Sequence, residues 1–323
     1  MKRILSLTLV LILILTALAG CGLLGGGESG ITCNVNFYVG DTLYMTKKVN
    51  MGSTVSMPEA PEKANEIFLG WYTDGLFTSE YDFSRPVIYD TNLYALYTID
   101  AVALTNRITQ EIMRSVVTVK TKCYNTGPFG TETTSYTSQG SGVIIDISGG
   151  WAYVLTNWHV VEHEEGYKYR EITVEDLYGK SHSADIYKNK SIDVAAISEE
   201  YDLALLCFRY SEGDLIEIGI SSDPNIGDHV VSIGTPGGQK NSITYGKALR
   251  YSKINAEDDT TKVNFDIIVH DAPIDHGSSG GPLLNTDCQL VGINFAGYGG
   301  GEYGCAIPMS KINEFLNKFV YNK

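Results

Sequence analysis

Asp271-Ala272-Pro273-Ile274-Asp275-His276-Gly277-Ser278-Ser279-Gly280-Gly281-Pro282-Leu283-Leu284-Asn285 is the stretch that decides the fold of this chain. A serine with glycines on both sides can occupy a tight turn in which successive backbone N–H groups converge on one point. That convergence is what stabilises an oxyanion during acyl transfer. A neutral serine hydroxyl is a poor nucleophile, so it needs an imidazole to take its proton. The imidazole needs a buried carboxylate to fix its tautomer and stabilise the imidazolium. Both partners stand upstream. His159 lies in Leu155-Thr156-Asn157-Trp158-His159-Val160-Val161, at the end of an apolar strand. Asp202 lies in Glu200-Tyr201-Asp202-Leu203-Ala204-Leu205-Leu206, at the mouth of another. Singly these are a core histidine, a strand-cap acid and a glycine-rich turn. In the order His, Asp, Ser, and in these contexts, they point to nucleophilic catalysis.

Around these three residues the pattern is one of short apolar strands and frequent glycine. Strands are expected over 116–119, 142–147, 151–155, 172–174, 203–208, 230–233, 265–269 and 290–295. Helical periodicity appears twice. Leu104, Ile108 and Ile112 predict a helix over 100–114, with Thr105 or Asn106 near its start. Ile312, Phe315, Leu316, Phe319 and Val320 form an apolar stripe after Ser310, the expected N-cap. Many short strands with one closing helix suggest an all-β fold of paired barrels.

Residues 31–100 read as a separate small module. Ile31, Cys33, Val35, Phe37 and Val39 alternate with more polar neighbours, a half-buried strand, and Gly40-Asp41 forms a turn. Phe68-Leu69-Gly70-Trp71-Tyr72 and Leu93-Tyr94-Ala95-Leu96-Tyr97 supply further strands. The module resembles the internalin-type (Listeria–Bacteroides) repeat, whose copies carry Gly-Trp-Tyr and then Leu-Tyr-Ala-x-Trp; Tyr97 stands here for the final Trp. That resemblance implies a β-grasp-like spacer or adhesion module with Trp71 in its core.

From about Ser115 to Lys323 the chain resembles a trypsin-like serine protease of the HtrA (Deg) family. Thr156-Asn157-Trp158-His159-Val160-Val161, Asp202-Leu203-Ala204-Leu205-Leu206, the stretch quoted first and Gly304-Cys305-Ala306-Ile307-Pro308 carry the resemblance. It implies a chymotrypsin-like double β-barrel with a C-terminal helix and an active site between the barrels. Carried over, His159 is the general base, Asp202 its orienter and Ser279 the nucleophile, with the N–H groups of Gly277 and Ser279 as oxyanion hole. Pro273, Ile274, Asn294, Phe295 and Ala296 are the expected lining of the primary pocket. No acid is expected at its floor, so small or aliphatic side chains suit it better than Lys or Arg. The family pattern Asn-Pro-Gly-Asn-Ser reads Asp275-His276-Gly277-Ser278-Ser279 here, which takes an Asn from position 278 and a Pro from position 276. The chain ends at Lys323, directly after the closing helix, so no PDZ domain is expected in it. A homotrimer, common in the family, stays open.

Of the 323 residues, 43% are hydrophobic and 19% charged, enough for a sizeable core and incompatible with global disorder. Acidic residues outnumber basic ones 38 to 24, for a net charge of −14. No long basic run exists, so nucleic acid is excluded as a partner class. Lys2-Arg3 followed by an apolar run to Leu18 reads as a secretion signal, too short to span a bilayer. Leu18-Ala19-Gly20-Cys21 resembles a bacterial lipobox, which implies acylation of Cys21 and a lipid anchor on the extracytoplasmic face of the cell membrane. The expected organisation is therefore signal peptide 1–20, glycine-rich tether 21–30, repeat module 31–100 and protease domain 101–323. Six cysteines at wide spacing, with no Cys-x-x-Cys, give no disulfide framework and no structural zinc site; whether Cys288 and Cys305 pair stays open, and Cys207 is expected to be buried. No metal and no cofactor is expected. The partners expected are polypeptide substrates in an extended or unfolded state, and the membrane through the lipid.

The expectation is thus a lipid-anchored serine endopeptidase acting on extracytoplasmic proteins. The alternative is a catalytically silent binding or adhesion lipoprotein on the protease fold. An α/β-hydrolase esterase is excluded by chain order, since its nucleophile comes first.

Overall fold

The computed structural model describes residues 30–191, 193–234, 242–253, 263–298 and 302–321. The expected signal peptide and Cys21 lie outside them. Among the described residues no helix is long and apolar enough to cross a membrane. The chain divides into two compact units, residues up to 60 with 68–96, and 61–67 with 97–323.

The first unit is built on a four-stranded sheet. Its strands are β1 (Thr32–Val39), β2 (Thr42–Asn50), β3 (Glu66–Tyr72) and β4 (Thr91–Ile99), in the order β2-β1-β4-β3. The β1–β2 hairpin is antiparallel, whereas β1 and β4 run parallel at the centre of the sheet, as a β-grasp-like arrangement requires. Cys33, Val35 and Phe37 face inward as their alternation predicts, while Ile31, ahead of the strand, is exposed. Trp71 is fully buried, edge-on to Phe37 at 4.9 Å and to Phe68 at 5.6 Å, which makes it a core residue.

The second unit begins with α1 (Ala101–Gln110). Its N-cap is Asp100, whose carboxylate accepts the Ala103 N–H at 2.9 Å, rather than Thr105 or Asn106. Leu104 and Ile108 are buried as predicted, but Ile112 falls in a separate 3-10 turn, Ile112–Ser115. The first barrel follows: β5 (Val116–Thr126), β6 (Glu132–Ser148), β7 (Trp151–Thr156), a single helical turn α2 (Trp158–Val161), β8 (Tyr169–Glu175) and β9 (Ser181–Ile186). Three short strands come next, β10 (Lys188–Asn189), β11 (Val194–Ala195) and β12 (Ile197–Ser198), before β13 (Leu203–Arg209). The order β13-β7-β6-β5-β8-β9 closes on itself where β13 pairs with β9. A second closed barrel runs β14-β15-β16-β19-β18-β17, from β14 (His229–Gly234), β15 (Ser242–Ser252), β16 (Ile267–His270), β17 (Pro282–Leu284), β18 (Leu290–Tyr298) and β19 (Tyr303–Pro308). The all-β double barrel expected from the sequence is the observed fold, with α3 (Met309–Leu316) closing the chain.

Strand β13 shows why its sequence is apolar on both faces. Ala204, Leu206 and Phe208 fill the interior of the first barrel with Val119, Ile144 and Val154. Leu203 and Leu205 point the other way, into a core shared with Ile233 and Ile293 of the second barrel, α1 and Phe315 of α3. A strand buried on both sides loses the period-two alternation. Cys207, expected to be buried, is only half-buried, because it lies on the outward phase of that strand. Cys288 and Cys305 are both buried and both free. The closing helix starts at Met309, and Ser310 lies inside it rather than capping it; its N–H is accepted by Asp223 at 2.9 Å.

Candidate active site

Histidine 159 is placed by the end of β7. The buried strand stops at Thr156, and α2 turns Val160 and Val161 into the first barrel's core, which leaves the His159 ring 39% exposed on the opposite side. Asp202 stands immediately before β13 at φ +49°, a left-handed conformation that Asp reaches more readily than most residues. From there its carboxylate meets His159 Nδ1 at 2.9 and 3.0 Å and also accepts the His159 backbone N–H at 3.1 Å. Asn157, fully buried, donates to the Asp202 carbonyl at 2.9 Å and ties the two segments together. An ionised carboxylate on Nδ1 demands a proton there, so Nε2 carries the free lone pair.

Ser279 is held between the two barrels. On the first-barrel side, β6 grips its loop: Ser141 N–H donates to Ser279 O at 2.7 Å and Ser141 Oγ donates to Gly277 O at 2.8 Å. On the second-barrel side, Gly280 N–H donates to Asn294 O at 2.8 Å and Asn294 N–H to Gly281 O at 2.9 Å. The turn requires glycine at two places. Gly277 has φ +99° and Gly280 φ +83°, and a Cβ on Gly280 would sit 2.0 Å from the Ser141 carbonyl oxygen. Ser278 N–H is spent on Asp275 O at 3.0 Å, whereas among the described residues the N–H groups of Gly277 and Ser279 have no acceptor. Two unspent donors on a rigid loop can stabilise a developing oxyanion. The Ser279 hydroxyl donates to Phe295 O at 3.3 Å, and no hydrogen bond joins it to His159.

The expected pocket residues divide. Pro273 is exposed, and Ile274 and Ala296 are partly exposed. Phe295 is 6% exposed and meets the Ser279 hydroxyl through its carbonyl. Asn294 has no exposure at all: its amide donates to Ser232 Oγ at 3.0 Å and to the carbonyls of Gly281 and Pro282 at 3.2 Å, while Oδ1 meets His270 Nε2 at 3.1 Å. Its side chain therefore serves the loop from inside.

Sequence reading missed Ser141, Asn157 and His270. Gly140-Ser141-Gly142 carried a signal. A Cβ on Gly140 would lie 2.6 Å from Val160 and 2.8 Å from Ser279 O, and one on Gly142 would lie 2.6 Å from Val154. His270 ends the apolar run Ile267-Ile268-Val269 and is fully buried; burial pushes its imidazole down to about 4, against smaller effects of its hydrogen-bond partners and Asp271. It is neutral, with Nε2–H donating to Asn294. Among the described residues no group of three or more His, Cys, Asp or Glu is arranged to hold a metal ion.

Residues 140–293 match the trypsin-like peptidase domain, and residues 34–96 match the Listeria–Bacteroides repeat domain. The chain is 33% identical over 183 residues to serine protease HTRA4 of Mus musculus, which covers 56% of this chain and 34% of that protein. It is 30% identical over 199 residues to the probable periplasmic serine protease do/HhoA-like of Haemophilus influenzae, covering 60% and 39%. It is 30% identical over 227 residues to the probable periplasmic serine endoprotease DegP-like of Buchnera aphidicola, covering 68% and 44%. The chain thus spans well under half the length of these relatives. A solved serine endoprotease from Yersinia pestis is 27% identical, with 68% of this chain and 67% of that one covered and a TM-score of 0.49. This chain carries a trypsin-like serine-protease domain similar to those of the HtrA and DegP proteases, preceded by a Listeria–Bacteroides repeat module.

Proposed function

We propose that this protein is a serine endopeptidase that cleaves extended polypeptides outside the cytoplasm through an acyl-enzyme. Ser279 attacks the scissile carbonyl, His159 Nε2 takes its proton and returns it to the leaving amine, and Asp202 holds the imidazole in the required tautomer. The N–H groups of Gly277 and Ser279 receive the oxyanion. To act, the Ser279 hydroxyl leaves Phe295 O and turns to His159, a contact of the kind that tightens when substrate binds. The observation that carries the reading is the pairing of an Asp202-bound His159 with a serine turn whose two flanking N–H groups are unspent. Ile274 and Ala296, both apolar and partly exposed, favour a small or aliphatic side chain before the cut. The periplasmic relatives favour an extracytoplasmic site of action. We place the anchor at Cys21, since two acyl chains hold to a membrane a protein whose net charge, −14 in full and −16 once Lys2 and Arg3 are removed, would not hold it there.

The test is a cleavage profile of denatured surface protein with residues 22–323 beside their Ser279→Ala form. Cuts after small or aliphatic residues, absent with the variant, support the reading; equal cutting by both sinks it.

A further inference from the structure

The side chain of Asn294, which has no exposure, holds the Ser279 turn from within the second barrel. Its amide has a single orientation. The carbonyls of Gly281 and Pro282, both at 3.2 Å, can only accept, so Nδ2 faces them and Oδ1 faces the other way. There the oxygen needs a donor, and among the described residues the group that meets it is His270 Nε2, at 3.1 Å. The neutral ring therefore carries its proton on Nε2. The imidazole is itself fixed in place. It ends β16, has no exposure, and lies against Gly304 of β19, where a Cβ would come within 2.1 Å of its Cε1.

From Asn294 the bonds lead to the oxyanion donors. Its backbone N–H and its Nδ2 both donate to Gly281 O, at 2.9 and 3.2 Å, and its carbonyl accepts the Gly280 N–H at 2.8 Å. Gly281 N–H in turn donates to Ser278 O at 2.9 Å. The C=O and N–H of a planar trans peptide point in opposite directions, so a fixed Ser278 O aims the Ser279 N–H. That N–H is one of the two unspent donors of the turn. An apolar residue at position 270 would leave Asn294 Oδ1 buried without a donor, which costs more than an ordinary hydrogen bond is worth. The amide would then have to turn or withdraw, and either movement loosens its hold on Gly281 O.

We propose that His270 is a positioning residue for the reaction: its Nε2–H locks the Asn294 amide, and through it the peptide that presents the Ser279 N–H to the oxyanion. The inference rests on the peptidase reading of Ser279, which it deepens. It asks for a donor at position 270 and not for a charge or a base.

The experiment compares the wild-type chain with His270→Leu, which fills the space without a donor, and His270→Gln, whose amide donates. With one peptide substrate, kcat is expected to fall about 10- to 100-fold in His270→Leu with KM within about twofold, less than outright loss of an oxyanion donor. A peptide trifluoromethyl ketone, which forms an ionised hemiketal on the serine, should lose affinity by the same factor as kcat/KM. His270→Gln should keep at least about a third of kcat, since the donor is restored. Amide hydrogen exchange reads the turn without catalysis. The Gly280 and Gly281 N–H groups should exchange at least about tenfold faster in His270→Leu than in the other two proteins, with the amides of β5 unchanged. That pattern in a wild-type protein with no turnover would fault the peptidase reading and keep the positioning role. Should His270→Leu not fold, His270→Met, which adapts to gaps and donates nothing, takes its place. Unchanged kcat and exchange in the donorless variant overturn the proposal. So does an equal loss in His270→Gln, which marks a packing role. A changed side-chain preference before the cut at wild-type kcat also overturns it, since His270 would then serve the primary pocket.

Discussion

Asp202 does two things that one substitution separates. Its left-handed backbone is tolerated by Asp and Asn, and its carboxylate fixes the proton on His159 Nδ1. Asp202→Asn keeps the conformation but offers an amide, which stabilises the wrong tautomer. Turnover is expected to fall on the order of 10⁴-fold with little change in melting temperature. A loss below tenfold, measured with saturating peptide, would remove Asp202 from its role. His270 acts by a different route. The unfolded chain binds a proton there near 6.5 and the folded protein only near 4, so stability is complete above 6.5 and falls as pH drops toward 4. The loss reaches about 3 kcal/mol at the acid end. Denaturant titrations from pH 7 to 4 should show a steeper decline for wild type than for His270→Gln; parallel declines would mean that His270 charges freely in the fold. The sequence made Asp202 legible by its place before an apolar strand. It hid the work of Asn294 and His270, because a buried polar pair between two strands looks like any polar interruption of a strand.

At the level of elements, legibility followed apolar periodicity and failed where stability comes from elsewhere. β13 was visible because six successive apolar residues, Leu203 to Phe208, leave little else to build. β6 was read only over 142–147, since 132–139 is polar on both faces and is a strand by pairing with β5 alone. The cap of α3 comes from Asp223, 87 residues earlier, which no local rule reaches. Gly140 joins elements that the sequence keeps apart: it lets β6 pass between Val160 of α2 and the carbonyl of Ser279. Gly140→Ala must push α2, and with it His159, away from Ser279. Overpacking there is expected to cost about 1–3 kcal/mol of stability, with at least a tenfold fall in kcat while the protein still melts cooperatively. Wild-type kcat in the variant would show that the spacing between α2 and the Ser279 loop is uncritical.

On the scale of the whole molecule, the order of a small β module before a double barrel was legible in the Gly70-Trp71-Tyr72 and Leu93-Tyr94-Ala95-Leu96-Tyr97 segments of the first and the short apolar, glycine-rich strands of the second. Residues 61–67 belong with the second unit, where Asn65 Nδ2 donates to Thr286 O at 2.7 Å and Glu66, with Thr286 and His229 against it, is nearly buried. Burial alone would raise the Glu66 carboxyl, but His229 and Lys63 outweigh it and hold it below its usual range. The proposed catalytic site spans both barrels, with a His159–Asp202 pair from one and a Ser279 turn gripped by both. The most direct measurement is mapping by mass spectrometry of a fluorophosphonate adduct on the folded protein. The account expects a single adduct on Ser279, absent after Ser279→Ala and formed at least a hundredfold more slowly after His159→Ala. An adduct on Ser278, or none on a folded protein, would contradict it.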